Sequence, residues 1–220
     1  MIPNAAEATL LIRQACPHCS GVADALLRLT KAAKLARLQV INLDQQPEQA
    51  DALGARSVPW VKLGPFQLVG AQSYRELETW AEHAATGGGW PDYLLYLLAQ
   101  QQLGRVVELL EAGPHHLRAL LERMADPHLE MSARIGISAV VEDFADTAAL
   151  RDCVPQLIEL TLSAHPQTRA DACHFLGLAG DVSATAAVRR LLQDEQDDVR
   201  EIALETLALL ESSNDDRDIR

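Results

Sequence analysis

Ala15-Cys16-Pro17-His18-Cys19-Ser20 is the one stretch in 220 residues where reactive chemistry is written into the spacing. Two cysteines with two residues between them follow the apolar run Ala8-Thr9-Leu10-Leu11-Ile12 and precede Gly21-Val22-Ala23-Asp24-Ala25-Leu26-Leu27. They therefore sit where a strand hands over to a helix. Unpaired backbone N–H groups and the positive end of a helix dipole face the first sulfur there, favouring its thiolate over its thiol. The second cysteine lies about one turn in, within reach of a mixed disulfide formed by the first. The pattern predicts a redox dithiol in which Cys16 attacks and Cys19 resolves. Two other readings compete. A zinc site needs four ligands, and no second Cys-x-x-Cys or His-x-x-x-His follows nearby, so no metal is expected. A structural disulfide belongs to cysteine-dense secreted scaffolds that carry a signal peptide, whereas this chain has four cysteines. The only redox group expected is the Cys16–Cys19 disulfide itself, with no added cofactor.

With 48% apolar residues the chain can bury one large core or two modest ones. Thr86-Gly87-Gly88-Gly89-Trp90-Pro91 is the only run of consecutive glycines, and proline closes it, which favours two domains joined by a linker at 87–91. Charge separates there as well. Residues 1–89 hold 8 Lys+Arg and 8 Asp+Glu, net 0, while residues 90–220 hold 11 and 23, net −12. Such acidity is first a solubility feature. It also repels phosphate backbones and anionic lipid, so neither nucleic acid nor membrane is an expected partner, and a basic protein surface suits it better. No 18-residue apolar run exists, and Met1-Ile2-Pro3-Asn4-Ala5-Ala6-Glu7 places no basic segment before a hydrophobic one. The expectation is a cytoplasmic protein, where the dithiol rests reduced.

After the dithiol, Val22, Leu26, Leu29 and Ala33 mark one face of a helix over 21–34, and Leu38-Gln39-Val40-Ile41-Asn42-Leu43 reads as a strand. Pro47 and Gly54 bracket a short helix. Trp60-Val61-Lys62-Leu63 and Phe66-Gln67-Leu68-Val69 flank the turn signal Gly64-Pro65 and imply a hairpin. Ser73-Tyr74-Arg75-Glu76 has the form of a capping box and opens a last helix. The order is β-α-β-α-β-β-α.

Residues 8–85 on these grounds resemble the thioredoxin superfold in its short, glutaredoxin-sized form. The resemblance rests on Cys16-Pro17-His18-Cys19 after the first strand, Asn42-Leu43-Asp44-Gln45 with Pro47 at the second strand end, Leu53-Gly54-Ala55-Arg56-Ser57-Val58-Pro59 before the hairpin, and Gly70-Ala71 after it. It implies a cis Val58-Pro59 bond beside the dithiol, Val58 backbone pairing with a bound substrate as an added strand, and a groove shaped by Val58, Pro59, Trp60 and Gly70. The Pro17-His18 dipeptide resembles that of periplasmic disulfide oxidases. A histidine there stabilises the Cys16 thiolate and makes the dithiol more oxidising, against the grain of a cytoplasmic location. Leu10 replaces the buried acid, and Ala15 the tryptophan, that many thioredoxins carry.

From Asp92 onward the sequence is helical, punctuated at Gly104, Gly113-Pro114, Asp126-Pro127, Asp146, Pro155, His165-Pro166, Gly180-Asp181 and Asp194. It also repeats. The stretch 166–177 aligns with 197–208 at a period of 31, placing Arg169 over Arg200 and Ala172 over Ala203, and Leu129-Glu130-Met131-Ser132-Ala133 reads as a weaker copy 39 residues before. Residues 91–212 resemble HEAT repeats of the short kind found in phycobilin lyases. The resemblance implies paired antiparallel helices stacked in a superhelix that binds protein partners. Arg169 and Arg200 are expected to pair with Asp194, Asp197 or Asp198, Cys153 and Cys173 to pack as small apolar side chains, and His115-His116 to lie in a solvated cap.

The fold class expected is an α/β thioredoxin-like domain over 1–86, a linker at 87–91, an all-α HEAT-repeat superhelix over 92–212 and an acidic, disordered tail over 213–220. The leading function is thiol-disulfide oxidoreduction by Cys16 and Cys19, assisted by Pro17 and His18, with the helical arm docking a protein. A non-catalytic adapter or assembly chaperone is the alternative, and a tetrapyrrole- or metal-binding array the third.

Overall fold

In the computed structural model, which describes residues 5–218 and side chains through Glu211, the chain divides into two compact units, Met1–Gly89 and Trp90–Arg220. Residues 1–4 and 219–220 lie outside the described residues, and so do the side chains of the tail expected over 213–220.

The first unit is built on a four-stranded mixed sheet in the order β2-β1-β3-β4. Its strands are β1 (Ala6–Ile12), β2 (Leu35–Asn42), β3 (Trp60–Leu63) and β4 (Phe66–Val69). β1 pairs parallel with β2, Leu10 opposite Val40 and Leu11 opposite Ile41, and antiparallel with β3, Leu10 opposite Val61 and Leu11 opposite Trp60. Side chains alternate across a sheet, so these registers sort the core into two layers. Ala8, Leu10, Val61, Leu63, Phe66 and Leu68 share one face, all buried. Against it lie the buried residues of α1 (Cys19–Lys31) and α3 (Tyr74–Thr86), two helices that also pack on each other, with Arg28 over the Tyr74 ring at 4.3 Å. Leu11, Ile41 and Trp60 share the opposite face and pack with Leu43 against Ala50 and Leu53 of α2 (Glu48–Leu53).

Local signals explain the helix ends. Ser73 Oγ accepts from the Glu76 N–H and the Glu76 carboxylate accepts from the Ser73 N–H, a reciprocal cap that satisfies two orphan donors. Gly54 ends α2 at φ +69°, a left-handed turn that favours glycine. Three boundaries differ from expectation, the first being that of α1, which runs Cys19–Lys31 rather than 21–34 because the chain turns at Ala33 with φ +58°. β2 begins at Leu35 rather than Leu38, because Arg37 lies on an open face and pairs with Glu7 at 2.6 Å, which hides the strand pattern. The linker spans 87–89 rather than 87–91, because Trp90-Pro91 opens α4 (Trp90–Ala99), and proline in a first turn forfeits no hydrogen bond.

The second unit continues with α5 (Leu103–Ala112), α6 (His115–Glu122), α7 (Met131–Asp143), α8 (Ala148–Arg151), α9 (Val154–Leu160), α10 (Pro166–Ala179), α11 (Thr185–Leu191) and α12, whose backbone runs Asp197–Asp218 into the stretch read as a tail. α10 packs against α7, α9 and α12, and α11 against α12. Ala172 and Ala203 are both fully buried, small where helices approach. The repeats are also stitched by arginines. Arg169 grips the Asp194 carboxylate through Nε and Nη2, both at 2.7 Å, and donates from Nη1 to the carbonyls of Ser163 and Ala164. Arg200 pairs with Asp197 and donates to the Asp194 carbonyl at 2.6 Å. α7 starts 35 residues before α10, not 39, and this register puts Arg134 in the place of Arg169. Arg134 is buried, pairs with Asp171 at 2.9 Å, and donates to the carbonyls of Met124 and Asp126.

The Arg169 side chain is 14% exposed and that of Asp194 is 7%. The Arg169 hydrogen bonds hold the Asp194 carboxyl below the usual carboxylate range, against a smaller opposing effect of burial. A carboxyl depressed in the folded state contributes stability at neutral pH that is lost as pH falls through its folded value. Arg169→Ala strips Asp194 of its bidentate cation and leaves it the Gln196 N–H at 3.0 Å, and costs about 3 kcal/mol in urea unfolding at pH 7. Arg200→Ala, with an exposed partner, costs less than about 1 kcal/mol. Asp194→Asn narrows the stability gap between pH 7 and pH 3, and an unchanged gap would refute the assignment.

Candidate redox site

The ends of β1, β2 and β4 and the start of β3 meet at one edge of the sheet. Leu11 stands opposite both Ile41 and Trp60, and Trp60 opposite Val69. The chain therefore leaves β1 for the dithiol, leaves β2 for Leu43-Asp44-Gln45, enters β3 from Ser57-Val58-Pro59 and leaves β4 at Gly70, all on the same side.

Cys16 and Cys19 are joined as a disulfide, with Cα atoms 5.5 Å apart. Cys16 is half-buried and flanked by exposed Ala15, Pro17 and His18, whereas Cys19 is 4% exposed. One sulfur of the pair is thus reachable from solvent and the other is covered. α1 starts at Cys19, not beside Cys16, with His18 as its N-cap residue and no side-chain cap bond. Cys16 belongs instead to a turn closed by its own N–H on the Arg13 carbonyl at 3.2 Å. The unpaired N–H groups of the first helical turn thus begin at Cys19, three residues beyond Cys16, and the disulfide is what brings the Cys16 sulfur to that helix end. No acidic residue stands in that first turn to cancel the dipole.

The Val58-Pro59 peptide is cis. Pro59 is buried and Val58 half-buried against the Leu11–Trp60 cluster. The Pro59 carbonyl accepts from the Gly70 N–H at 2.9 Å, and Gly70 takes φ +86°, so the two loops are tied together. Trp60 departs from expectation. It is 2% exposed, with its side chain in the Leu11, Ile41 and Leu43 cluster, so it supports the edge from beneath rather than lining a groove. Two consecutive β positions point to opposite faces, and the one that points to α2 is Trp60.

Sequence reasoning gave Asp44 no task of its own. Its Oδ2 accepts the Gln14 N–H at 2.7 Å, which ties the exit of β2 to the dithiol turn. The short spacing from Asn42 was the available signal, since the Asp44 N–H donates to Asn42 Oδ1 at 2.9 Å in a local turn.

The other cysteines are free and buried, Cys153 at 2% and Cys173 at 0% exposure, and burial pushes both thiols up to about 11. His115 and His116 open α6, but His116 is not simply solvated. Its ring stacks on Trp90 with centroids 4.4 Å apart, a partner 26 residues away that no local pattern shows, and burial pushes its pKa down. Among the described residues no three His, Cys, Asp or Glu side chains gather as metal ligands would, and no helix is long and apolar enough to cross a membrane. α7 and α10 bound a groove lined by Met131, Ile135, Glu142 and Gln167, with Met131 59% and Ile135 63% exposed.

Residues 117–208 match the family described as HEAT repeats, which accords with the stacked helices and their arginine spacing. No curated protein matches the chain.

Cys16 is half-buried whereas Cys153 and Cys173 are buried with thiols pushed up to about 11, so labelling separates it from them. After reduction, iodoacetamide at pH 8 modifies Cys16 first in the native protein, and Cys153 and Cys173 react at least about 100-fold more slowly, the thiolate fraction falling tenfold per unit of pKa. Peptide mass mapping reads the order, and early labelling of Cys173 would contradict it.

Proposed function

We propose that the protein is a thiol-disulfide oxidoreductase whose first unit is a thioredoxin-like domain of glutaredoxin size and whose helical unit docks a protein partner. The observation that carries the reading is the asymmetric pair at a helix start, with Cys16 reachable and Cys19 covered. The strand order β2-β1-β3-β4, the cis Val58-Pro59 peptide at the same edge and the Pro59–Gly70 bond support it.

In the reduced protein the Cys16 thiolate attacks one sulfur of a partner disulfide. The partner S–S bond breaks, a Cys16–partner disulfide forms, and the partner's other sulfur leaves as a thiolate. Cys19, deprotonated, attacks the Cys16 sulfur. The Cys16–Cys19 bond forms and the second partner thiolate departs. Two electrons pass to the partner, whose two sulfurs take up two protons, and the reverse sequence oxidises a partner dithiol. Leu10 stands where the resemblance sets a buried acid, so the Cys19 proton goes to water or to the departing thiolate. His18, exposed beside Cys16, stabilises its thiolate when protonated. The Val58 backbone, in the half-buried loop before Pro59, pairs with an extended partner segment.

The HEAT match supports the docking role, since such arrays present long surfaces to other proteins. It also supports the second reading, an adapter or assembly chaperone that binds without exchanging electrons. Insulin reduction with dithiothreitol as electron donor divides the two. The parent protein accelerates precipitation, Cys16→Ser abolishes the acceleration, and reduced Cys19→Ser mixed with insulin after dithiothreitol is removed accumulates a mixed disulfide seen on a non-reducing gel. A parent no faster than Cys16→Ser leaves only the adapter.

A further inference from the structure

We infer that Asp44 is a positioning residue for the dithiol: its carboxylate holds the turn that presents Cys16 and, as a fixed negative charge beside that turn, restrains ionisation of the Cys16 thiol. This rests on Cys16 being the attacking sulfur.

Asp44 is locked on its own side by a dense set of bonds. The Leu43 N–H donates to the Ile12 carbonyl at 2.9 Å, the Asp44 N–H to Asn42 Oδ1 at 2.9 Å, and the N–H groups of Gln45 and Gln46 to the Asn42 carbonyl at 3.1 and 3.0 Å. From that platform a single bond crosses to the dithiol segment, Gln14 N–H to Asp44 Oδ2 at 2.7 Å. Gln14 lies inside the turn that the Cys16 N–H closes on the Arg13 carbonyl. The bond is charge-assisted, the stronger kind, and it acts on a segment otherwise exposed at Arg13, Gln14 and Ala15. Without it, once the Cys16–Cys19 disulfide is reduced, the five residues between the end of β1 at Ile12 and the N-cap at His18 would keep only their own turn as a hydrogen-bonded tie.

The charge has a second effect. Among the charged and titratable groups of the loops at this edge are Arg13 and His18 on the dithiol segment, Asp44 and then Glu48 after β2, and Arg56 before β3. Asp44 alone is bonded to the dithiol segment. A carboxylate bonded to the backbone N–H two residues before Cys16 acts across a distance of ~10 Å, the screening length at 0.1 M salt, or less, so it raises the cost of a thiolate there. A less stable thiolate makes the reduced pair less stable and the dithiol more reducing. Asp44 thus opposes the helix N-terminus and His18, which favour the thiolate.

Two substitutions separate holding from charge. Asp44→Asn keeps an acceptor oxygen and removes the charge. Asp44→Ala removes both. In the reduced full chain, Asp44→Asn lowers the pH of half-maximal Cys16 alkylation by about half a unit, a threefold rise in thiolate near neutral pH, and the shift shrinks in 1 M salt. Asp51→Asn, an exposed carboxylate on α2 without a bond to the turn, leaves it in place. Asp44→Ala attacks dithionitrobenzoate about tenfold more slowly than Asp44→Asn at equal thiolate fraction, because the turn wanders. A midpoint unmoved in Asp44→Asn, or a shift independent of salt, overturns the charge assignment. Equal rates for the two variants overturn the anchor, with circular dichroism of each confirming that it is folded. Alkylation reads Cys16 whether or not insulin is reduced, so a parent inert on insulin with a shifted midpoint refutes the oxidoreductase and leaves this inference standing.

Discussion

The pairing of β1 with two neighbours at once is the constraint on which the first unit depends. Because Leu11 faces Ile41 on one side and Trp60 on the other, three chain segments finish level with one another. A slip of one residue in either ladder would move Leu10 and Leu11 to the wrong faces, exchanging side chains that are both fully buried. Register here is therefore enforced by two cores rather than one. The disulfide edge inherits that stiffness: the loops carrying Cys16, Asp44 and Pro59 leave strand ends whose levels are already set. Chemistry at such an edge is positioned by strands, while the residues that do it stay on exposed loops.

The second unit solves a different problem. Its helices do not share one central core, and each pair must be joined to the next through a thin layer of contacts. The repeated arginine meets that need in a way apolar packing alone does not. Arg134, Arg169 and Arg200 each donate to backbone carbonyls of the segment that connects the preceding α-helix to their own, and to a carboxylate, so one side chain ties a connection and a neighbour together. Arg134 reaches Asp171 and Arg169 reaches Asp194, so each bridges to the next repeat. A side chain that satisfies backbone and neighbour at once is hard to replace by a hydrophobic one.

How much of this was legible depended on range. Motifs read within a few residues came through: the Ser73–Glu76 cap, the Gly54 stop, the hairpin around Gly64-Pro65 and the strand-to-helix setting of the dithiol. Contacts between more distant segments mostly did not, the Arg169–Asp194 pair expected across 25 residues being the exception. Trp60 resembles a groove residue in sequence and becomes core only because α2 folds over that face. Arg134 escaped notice because the weaker copy was set 39 residues before its match, whereas the helices themselves start 35 apart. Asp44 sits in a recognisable motif, yet its partner is a backbone N–H 30 residues earlier, and backbone donors leave no trace in a residue pattern.

The redox tendency of the pair then emerges as a balance of modest effects. The first turn of α1 supplies unpaired N–H groups and carries no acid, which favours negative charge on sulfur, and His18 adds to this when protonated. Asp44 pulls the other way from a fixed platform. Each effect is worth on the order of 1 kcal/mol or less at an exposed site. For a two-electron couple about 1.4 kcal/mol corresponds to 30 mV, so a single side chain at this edge moves the potential by a fraction of the span that separates reducing from oxidising dithiols in general. A Pro-His dipeptide alone consequently does not decide which way electrons run. The fixed carboxylate on the neighbouring loop belongs in the same sum, and a sequence that retained the dipeptide but lost the acid would sit further toward disulfide donation.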